Sequence, residues 1–189
     1  GKSDCTIPLN GGPWLPTLPT VYSGEWPVCS QNTTEFTSVI RWQGFREAQV
    51  NGASYGQRDK EFPKFIDLPK RTAQKFCVAM IGTKPETLTA HGWQVAPGEI
   101  ISKTPQSYRE FIQRSRAEFS VPKHGYVASR GGWFSDRSVC YLASGKPVLI
   151  EETGLADWLP TGRGVVTYRD LDEAVTGVDR INSEYSLQC

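Results

Sequence analysis

The stretch that decides the fold is SDRSVCYLASGKPVLI, residues 135–150. Ser135 is suited to cap a helix that continues to about Ser144, and Gly145 is suited to end it. Pro147 then begins a short apolar run, which has the pattern of a strand. A helix that turns at a glycine directly into a strand is one half of a repeating α/β unit, so the flanking sequence should continue the alternation.

Strand and helix patterns do alternate along most of the chain. Residues 76–81 form a continuous apolar run before Gly82, which is typical of a strand buried on both faces of a parallel sheet. Thr104 and Pro105 supply the cap and the first position of a helix that continues through Ile112. Further strands are predicted over 36–42, 93–96, 118–121, 126–129 and 147–150, further helices over 85–90 and 170–181, and short helical pieces between 57 and 75. The alternation predicts an α/β fold with a Rossmann-like, mostly parallel sheet flanked by helices.

Residues 1–35 are predicted to form an extended arm. Its prolines and glycines exclude both helix interiors and central strands. Its apolar side chains, among them Trp14 and Trp26, indicate that it lies against this domain or against a neighbour. Residues 36–189 are predicted to form one domain, because 189 residues of which 38% are hydrophobic bury one substantial core.

The composition excludes several classes of protein. Twenty-one basic and twenty acidic residues give a formal charge of +1 without a basic block, so neither nucleic acid nor a membrane surface is an expected partner. No apolar stretch approaches the roughly 20 residues of a membrane span, and the first residues lack a signal-peptide core. The five scattered cysteines fit neither a disulfide framework nor a metal site. Reduced thiols and a cytoplasmic location are therefore expected.

A glycine turn comes before the helix of the opening stretch. Gly131 and Gly132 allow a ligand to approach the backbone closely. The N–H groups at the helix start, around Ser135, Asp136 and Arg137, would then form an anion site suited to a diphosphate.

Two arginines flank this predicted anion site. Arg130 and Arg137 are each capable of a bidentate pair with phosphate. The alternative is that the glycine turn binds nothing and that Arg137 pairs with Asp136 or Glu151 on the helix surface. The residue pattern leaves both possibilities open.

Lys123 and His124 follow the predicted strand 118–121. Open α/β sheets bind ligands beyond the carboxyl ends of their strands. We therefore include both side chains in the predicted site, with His124 expected in a loop and facing a phosphate.

Residues 132–154 resemble the donor-site segment of GT-B glycosyltransferases, through WFSDRS, YLASGKPV and the Glu-Thr-Gly that follows. Residues 55–57, 65–69 and 117–126 are more loosely similar to bacterial glycosyltransferases with this segment. The resemblance implies the C-terminal, nucleotide-sugar donor-binding half of a GT-B fold. It also implies that the glycine loop and helix start hold the diphosphate and that Glu151 and Glu152 face the donor sugar.

One position departs from the family pattern. Many GT-B enzymes carry a ribose-binding glutamate four residues before the Gly-x-Pro of this segment, and the matching position here is Cys140 or Tyr141. The expected function is therefore donor binding for glycosyl transfer to an unknown acceptor, inactive without the N-terminal GT-B half. The alternative is a non-catalytic nucleotide- or sugar-binding module. No cofactor or metal is implied, and no dehydrogenase or hydrolase motif is present.

Overall fold

The computed structural model describes residues 4–7, 11–12, 17–30, 33–82 and 86–189. Six strands form one sheet in which every pairing is parallel. They are β1 (Glu35–Arg41), β4 (Lys75–Ile81), β5 (Gln94–Pro97), β6 (Ala117–Ser120), β7 (Val148–Glu151) and β8 (Val165–Tyr168), in the spatial order β5-β4-β1-β6-β7-β8. β2 (Ala48–Val50) and β3 (Ala53–Tyr55) form a separate antiparallel hairpin. The predicted α/β fold with a parallel sheet is confirmed.

Helices connect the strands and cover the sheet. They are α1 (Arg58–Glu61), α2 (Leu68–Arg71), α3 (Thr87–Ala90), α4 (Gly98–Ile101), α5 (Pro105–Arg114), α6 (His124–Ser129), α7 (Asp136–Ala143), α8 (Leu171–Ser183) and α9 (Tyr185–Gln188). Three 3-10 turns cover Ser23–Glu25, Phe62–Phe65 and Leu155–Asp157. The predicted caps are present: Thr104 accepts a bond from the Ser107 N–H, and Ser135 accepts one from the Arg137 N–H. Gly145 ends α7 with φ +70°.

The prediction of a strand over 126–129 is wrong, because these residues lie in α6. β6 already has β1 on one side and β7 on the other, which leaves no place beside it for another strand. β8 and the β2–β3 hairpin were not predicted. The beginning of the predicted helix at Pro85 lies outside the described residues.

Each face of the sheet has its own core. On one face, aromatic side chains pack closely. The distance between ring centroids is 4.9 Å for Phe65 and Tyr168, and 5.3 Å for the stacked pair Phe119 and Tyr168. α8 adds Val178 and Ile181 to that core. On the opposite face, Ile112 of α5 and Tyr141 of α7 pack against Val148 and Ile150 of β7. The sheet is therefore the middle of three layers.

The described parts of the arm lie against this domain. The Thr6 N–H bonds the carbonyl of Ser129 at 2.9 Å, and the Cys29 N–H bonds that of Ser144 at 3.1 Å. Between these two contacts, Arg109 of α5 pairs with Glu25 at 2.7 Å. The arm thus contacts α6 at one end and the last turn of α7 at the other, whereas Pro8, Pro13, Pro16 and Trp14 lie outside the described residues.

β1 and β6 separate towards their carboxyl ends. They are paired only at Phe36–Ala117 and Thr37–Glu118, although β1 continues to Arg41 and β6 to Ser120. In the sheet, β4 lies on the far side of β1 and β7 lies on the far side of β6. The connection after β1 and the connection after β6 therefore run in opposite directions. Such a point in the strand order opens a crevice where doubly wound α/β proteins bind ligands.

Candidate functional site

Arg137 crosses the crevice from α7. Its Nη1 donates to the Val39 carbonyl and its Nη2 to Ser120 Oγ, each at 2.9 Å, and its Nε pairs with the Glu118 carboxylate. The side chains of Arg137 and Glu118 are 8% and 0% exposed. The surface ion pairs considered for Arg137, with Asp136 or Glu151, do not form, because the guanidinium turns inward to the unpaired end of β1. Arg137 supports the crevice from inside the protein.

Arg58 closes the same gap from α1. Its Nε donates to the Val121 carbonyl at 2.8 Å and its Nη1 to the Arg41 carbonyl at 3.2 Å. Burial and the nearby charge of Arg137 lower the pKa of Arg58 to about 9. Two guanidinium groups thus replace the strand pairing that β1 and β6 lack here.

α6 lies across the carboxyl edge of the sheet. Its first residue is His124, where a loop was expected, and the N–H groups of His124 and Gly125 bond the carbonyls of Gln57 and Gly56 at 3.3 and 3.0 Å. At the other end, Arg130 is in the left-handed conformation with φ +50°. The predicted Lys123–His124 and Arg130–Gly132 groups are therefore at the same edge, at opposite ends of one short helix.

The glycine turn after α6 is flanked by other residues of this chain. Arg130 Nε pairs with the Asp4 carboxylate of the arm at 2.6 Å. A Cβ added at Gly131 would lie 3.1 Å from Ile7, and one added at Gly132, where φ is +73°, would lie 2.7 Å from Trp158 Nε1. A valine at Gly132 would therefore collide with Trp158 before it filled any ligand space.

The start of α7 has an exposed and a buried part. Asp136 is exposed. Ser135 is only 6% exposed, and its Oγ accepts a hydrogen bond from the Arg137 N–H at 3.1 Å. Ser138 Oγ, one turn further on, is buried and has no hydrogen-bond partner among the described residues. An anion would reach this helix start beside Asp136.

The two predicted glutamates have different environments. Glu152 Oε1 accepts the Gly154 N–H at 2.6 Å, and its Oε2 is buried without a partner among the described residues. Glu151, at the end of β7, lies beside Glu61 of α1, and its Oε2 is buried without a partner among the described residues. Burial and the interaction with the Glu61 carboxylate raise the pKa of Glu151 to about 10. Glu151 is therefore a neutral acid at pH 7.

Glu61 is the centre of a buried polar cluster. Its side chain is fully buried, its Oε2 is 2.7 Å from His124 Nδ1, and its Oε1 pairs with Lys64. Burial alone would raise the pKa of Glu61, but the interactions with Glu151, Lys64 and His124 hold it below its usual value. Glu61 is therefore an ionised carboxylate that is hydrogen-bonded to Lys64 and His124.

Arg58, Glu61 and the β1 end of the site were not predicted from the sequence. Both side chains belong to the charged run RDKE, residues 58–61, which has the composition of an exposed helix. A cavity of about 460 Å³ lies beyond β1, lined by residues 43–47, Gln57 and Asp59. Lys123 Nζ lies 4.5 Å from the centroid of the Phe45 ring at this cavity. Only the tertiary contacts reveal these groups.

The strand order and the parallel pairing define a doubly wound, Rossmann-like α/β domain. A family model described as glycosyl transferase-like matches residues 67–186. The chain therefore belongs to the glycosyl transferase-like family, in agreement with the resemblance of residues 132–154. No match was found among the curated proteins.

No helix among the described residues has the length and apolar character that crossing a bilayer requires. The same residues contain no group of three or more potential metal ligands, and the five cysteines are free.

Arg137→Ala should lower the free energy of unfolding by about 3–5 kcal/mol, because Glu118 would be left buried without its counter-charge. Arg130→Ala is the matched control, since it removes an exposed arginine whose ion pair is worth about 0–1 kcal/mol. Urea unfolding of both variants measures the difference. Equal losses would show that Arg137 does not hold the crevice.

Glu151→Gln should make the protein more stable than the wild type at about pH 8, with the difference vanishing near pH 4. The pKa of Glu151 is about 10 in the folded protein and 4.5 is its ordinary value, so folding takes up a proton between these limits. The stability that neutral Glu151 contributes is complete below the ordinary pKa and is lost as pH rises towards 10. Glutamine keeps the neutral side chain and does not titrate.

Thermal unfolding across this pH range measures the effect of Glu151→Gln. Glu61→Gln should act in the opposite direction, because the pKa of Glu61 is lowered. Its contribution is present above the ordinary pKa of a glutamate and is lost as pH falls. A Glu151→Gln variant with the pH dependence of the wild type would contradict the assignment of the proton.

Proposed function

We propose that this chain binds a nucleotide-diphosphate sugar at the carboxyl edge of its sheet, as the donor-binding half of a GT-B-type glycosyltransferase. The observation that supports the proposal is the position of Lys123, His124 and Arg130 at the two ends of α6, on the crevice edge and within the family-matched residues 67–186. A family that transfers glycosyl groups needs a donor, and an activated sugar carries its negative charge on phosphate.

The diphosphate lies along α6 in this proposal. Six residues of helix span about 9 Å, so the two ends of α6 meet neighbouring parts of one extended ligand. Lys123 and His124 act at the first end and Arg130 at the second. The start of α7 adds N–H groups beside Asp136 to the anion site. Arg130 reaches the phosphate by exchanging its Asp4 partner for a phosphate oxygen.

The donor sugar is assigned to the loop after β7. Glu152 Oε2 is buried and has no partner among the described residues, so a sugar hydroxyl would satisfy it. Glu152 Oε1 is already held by the Gly154 N–H, which fixes the direction of the carboxylate. Arg137 does not touch the ligand in this proposal. It holds β1 and β6 in place beneath it.

Glycosyl transfer also needs an acceptor hydroxyl and a base, which we assign to a partner N-terminal half. The competing function is a non-catalytic binding module, and the environment of α7 favours it at one point. Tyr141 is fully buried with its hydroxyl 2.6 Å from Thr37 Oγ1, and Cys140 Sγ bonds the Asp136 carbonyl, so this part of α7 presents no carboxylate to a ribose. Turnover of the bound nucleotide sugar by the complete protein distinguishes the two functions.

Calorimetric titration with the diphosphates of uridine, thymidine, guanosine, adenosine and cytidine should identify at least one that binds. Arg130→Ala should weaken that binding by about 1.5–3 kcal/mol, the value of a charge-assisted hydrogen bond. Asp4→Asn should strengthen binding, because it removes the carboxylate that competes for Arg130.

Arg109→Ala is the control for this titration. Arg109 also pairs with an acidic residue of the arm, Glu25, but it does so on α5. It should leave the affinity unchanged. If no diphosphate binds, or if Arg109→Ala and Arg130→Ala weaken binding equally, the proposed site is refuted.

A further inference from the structure

We propose that Glu61 is a positioning residue, which orients His124 so that its Nε2 donates a hydrogen bond to the diphosphate of the donor. Glu61 precedes the family-matched residues 67–186 and belongs to α1, an element apart from the helices that hold the ligand in the proposed function. The inference rests on that proposed function, because His124 needs a phosphate to meet.

The geometry leaves one ring nitrogen of His124 for a ligand. Nδ1 lies 2.7 Å from Glu61 Oε2, so the proton on Nδ1 is donated into the protein. The backbone of His124 is also held, through the bond from its N–H to the Gln57 carbonyl. The imidazole is 27% exposed, which places it at the surface of the crevice edge. A bond at one ring nitrogen sets the chemical role of the other.

The contact with Glu61 determines which ring nitrogen the ligand meets. An imidazolium carries a proton on each nitrogen, and Nδ1 is directed at the Glu61 carboxylate. An anionic phosphate at Nε2 would accept a hydrogen bond from the other proton. The imidazolium would then lie between two anions and bond both of them.

Several other charged groups lie near His124. Glu61 of α1 and Glu47 of the β1–β2 connection act on it as anions, and Lys64 and Lys123 are the nearby cations. Glu151 of β7 lies beside Glu61, and its raised pKa means that it adds no second negative charge near pH 7. Burial and the nearby Glu151 and Glu61 raise the pKa of Tyr168 of β8. Of these groups, Glu61 alone is within hydrogen-bond distance of the ring in the described residues.

The cluster is costly for a purely structural feature. Two carboxyl groups in contact inside a protein destabilise it unless one keeps its proton, and apolar side chains of similar size would avoid that cost. Perturbed ionisable groups of this kind gather where a protein uses them. This cluster lies at the end of β7, beside the first residue of α6, on the edge where the ligand is proposed to bind.

The experiment compares four variants by titration with inorganic pyrophosphate and with the nucleoside diphosphate that binds best, across a range of pH. Glu61→Gln should weaken binding about tenfold near pH 7, since it removes the charge-assisted hydrogen bond that holds the His124 ring in its orientation. His124→Ala should weaken binding and flatten the pH profile. The double variant should bind no worse than His124→Ala, because Glu61 acts through His124.

Asp67→Asn is the matched control. Asp67 pairs with His91 Nδ1 at 2.6 Å, so the same kind of carboxylate–imidazole contact is removed away from the site. It should change neither the affinity nor its pH profile.

An NMR measurement without ligand checks the geometry. The sequence has only two histidines, so their ring signals are simple to assign. In the ¹⁵N spectrum at a pH where both rings are neutral, His124 should carry its proton on Nδ1 in the wild type and on Nε2 in Glu61→Ala. An Nε2 proton in the wild type would overturn the inference even if every Glu61 variant failed to fold.

The outcomes of the titrations separate the two proposals. No binding by the wild type refutes the proposed function. Binding that His124→Ala weakens and Glu61→Gln leaves unchanged refutes the inference alone. Additive losses in the double variant also refute it, since they would give Glu61 a role independent of His124.

Discussion

The site depends on the way in which β1 and β6 are joined after they stop pairing. The carbonyls of Val39 and Arg41 point into the gap, where an unsatisfied carbonyl would cost the fold about as much as a lost hydrogen bond. Arg137 and Arg58 donate to them, from α7 and α1 respectively. The ends of β1 and β6 are thus joined by these two side chains. Glu118 compensates Arg137, so the buried charge is balanced.

Arg130 and His124 on the crevice edge already have side-chain partners within the chain. Arg130 pairs with Asp4, and His124 bonds Glu61. In the proposed complex the ligand would replace Asp4 at Arg130, whereas it would add to the Glu61 contact at His124. The first exchange costs little, because both members of the pair are about half exposed. The second contact is retained, because Glu61 is buried. In that proposal, the half-exposed Arg130 and the oriented His124 make different contributions to the anion site.

The comparison of α6 with α7 explains where prediction from the sequence succeeds. α7 begins with a serine cap and ends at a glycine with positive φ, and both signals act within a few residues of the chain. α6 has no side-chain cap, and its first N–H groups bond the loop before α1, more than 60 residues earlier in the chain. Its apolar residues Tyr126 and Val127 suit a strand equally well. The hydrogen bonds to the distant loop decided that these residues form a helix, and no local sequence pattern indicates those bonds.

The sequence by itself determined the alternation of strands and helices, the caps of α5 and α7, the glycine that ends α7 and the family resemblance of residues 132–154. These features depend on backbone preferences and hydrogen bonds between near neighbours in the chain. The tertiary structure alone decided that Arg137 points inward, that Glu151 keeps its proton and that Glu61 meets His124. Burial and the electrostatic interactions of a side chain depend on residues brought together from distant parts of the chain, such as 61, 124 and 151, and their spacing in the sequence carries no record of that meeting.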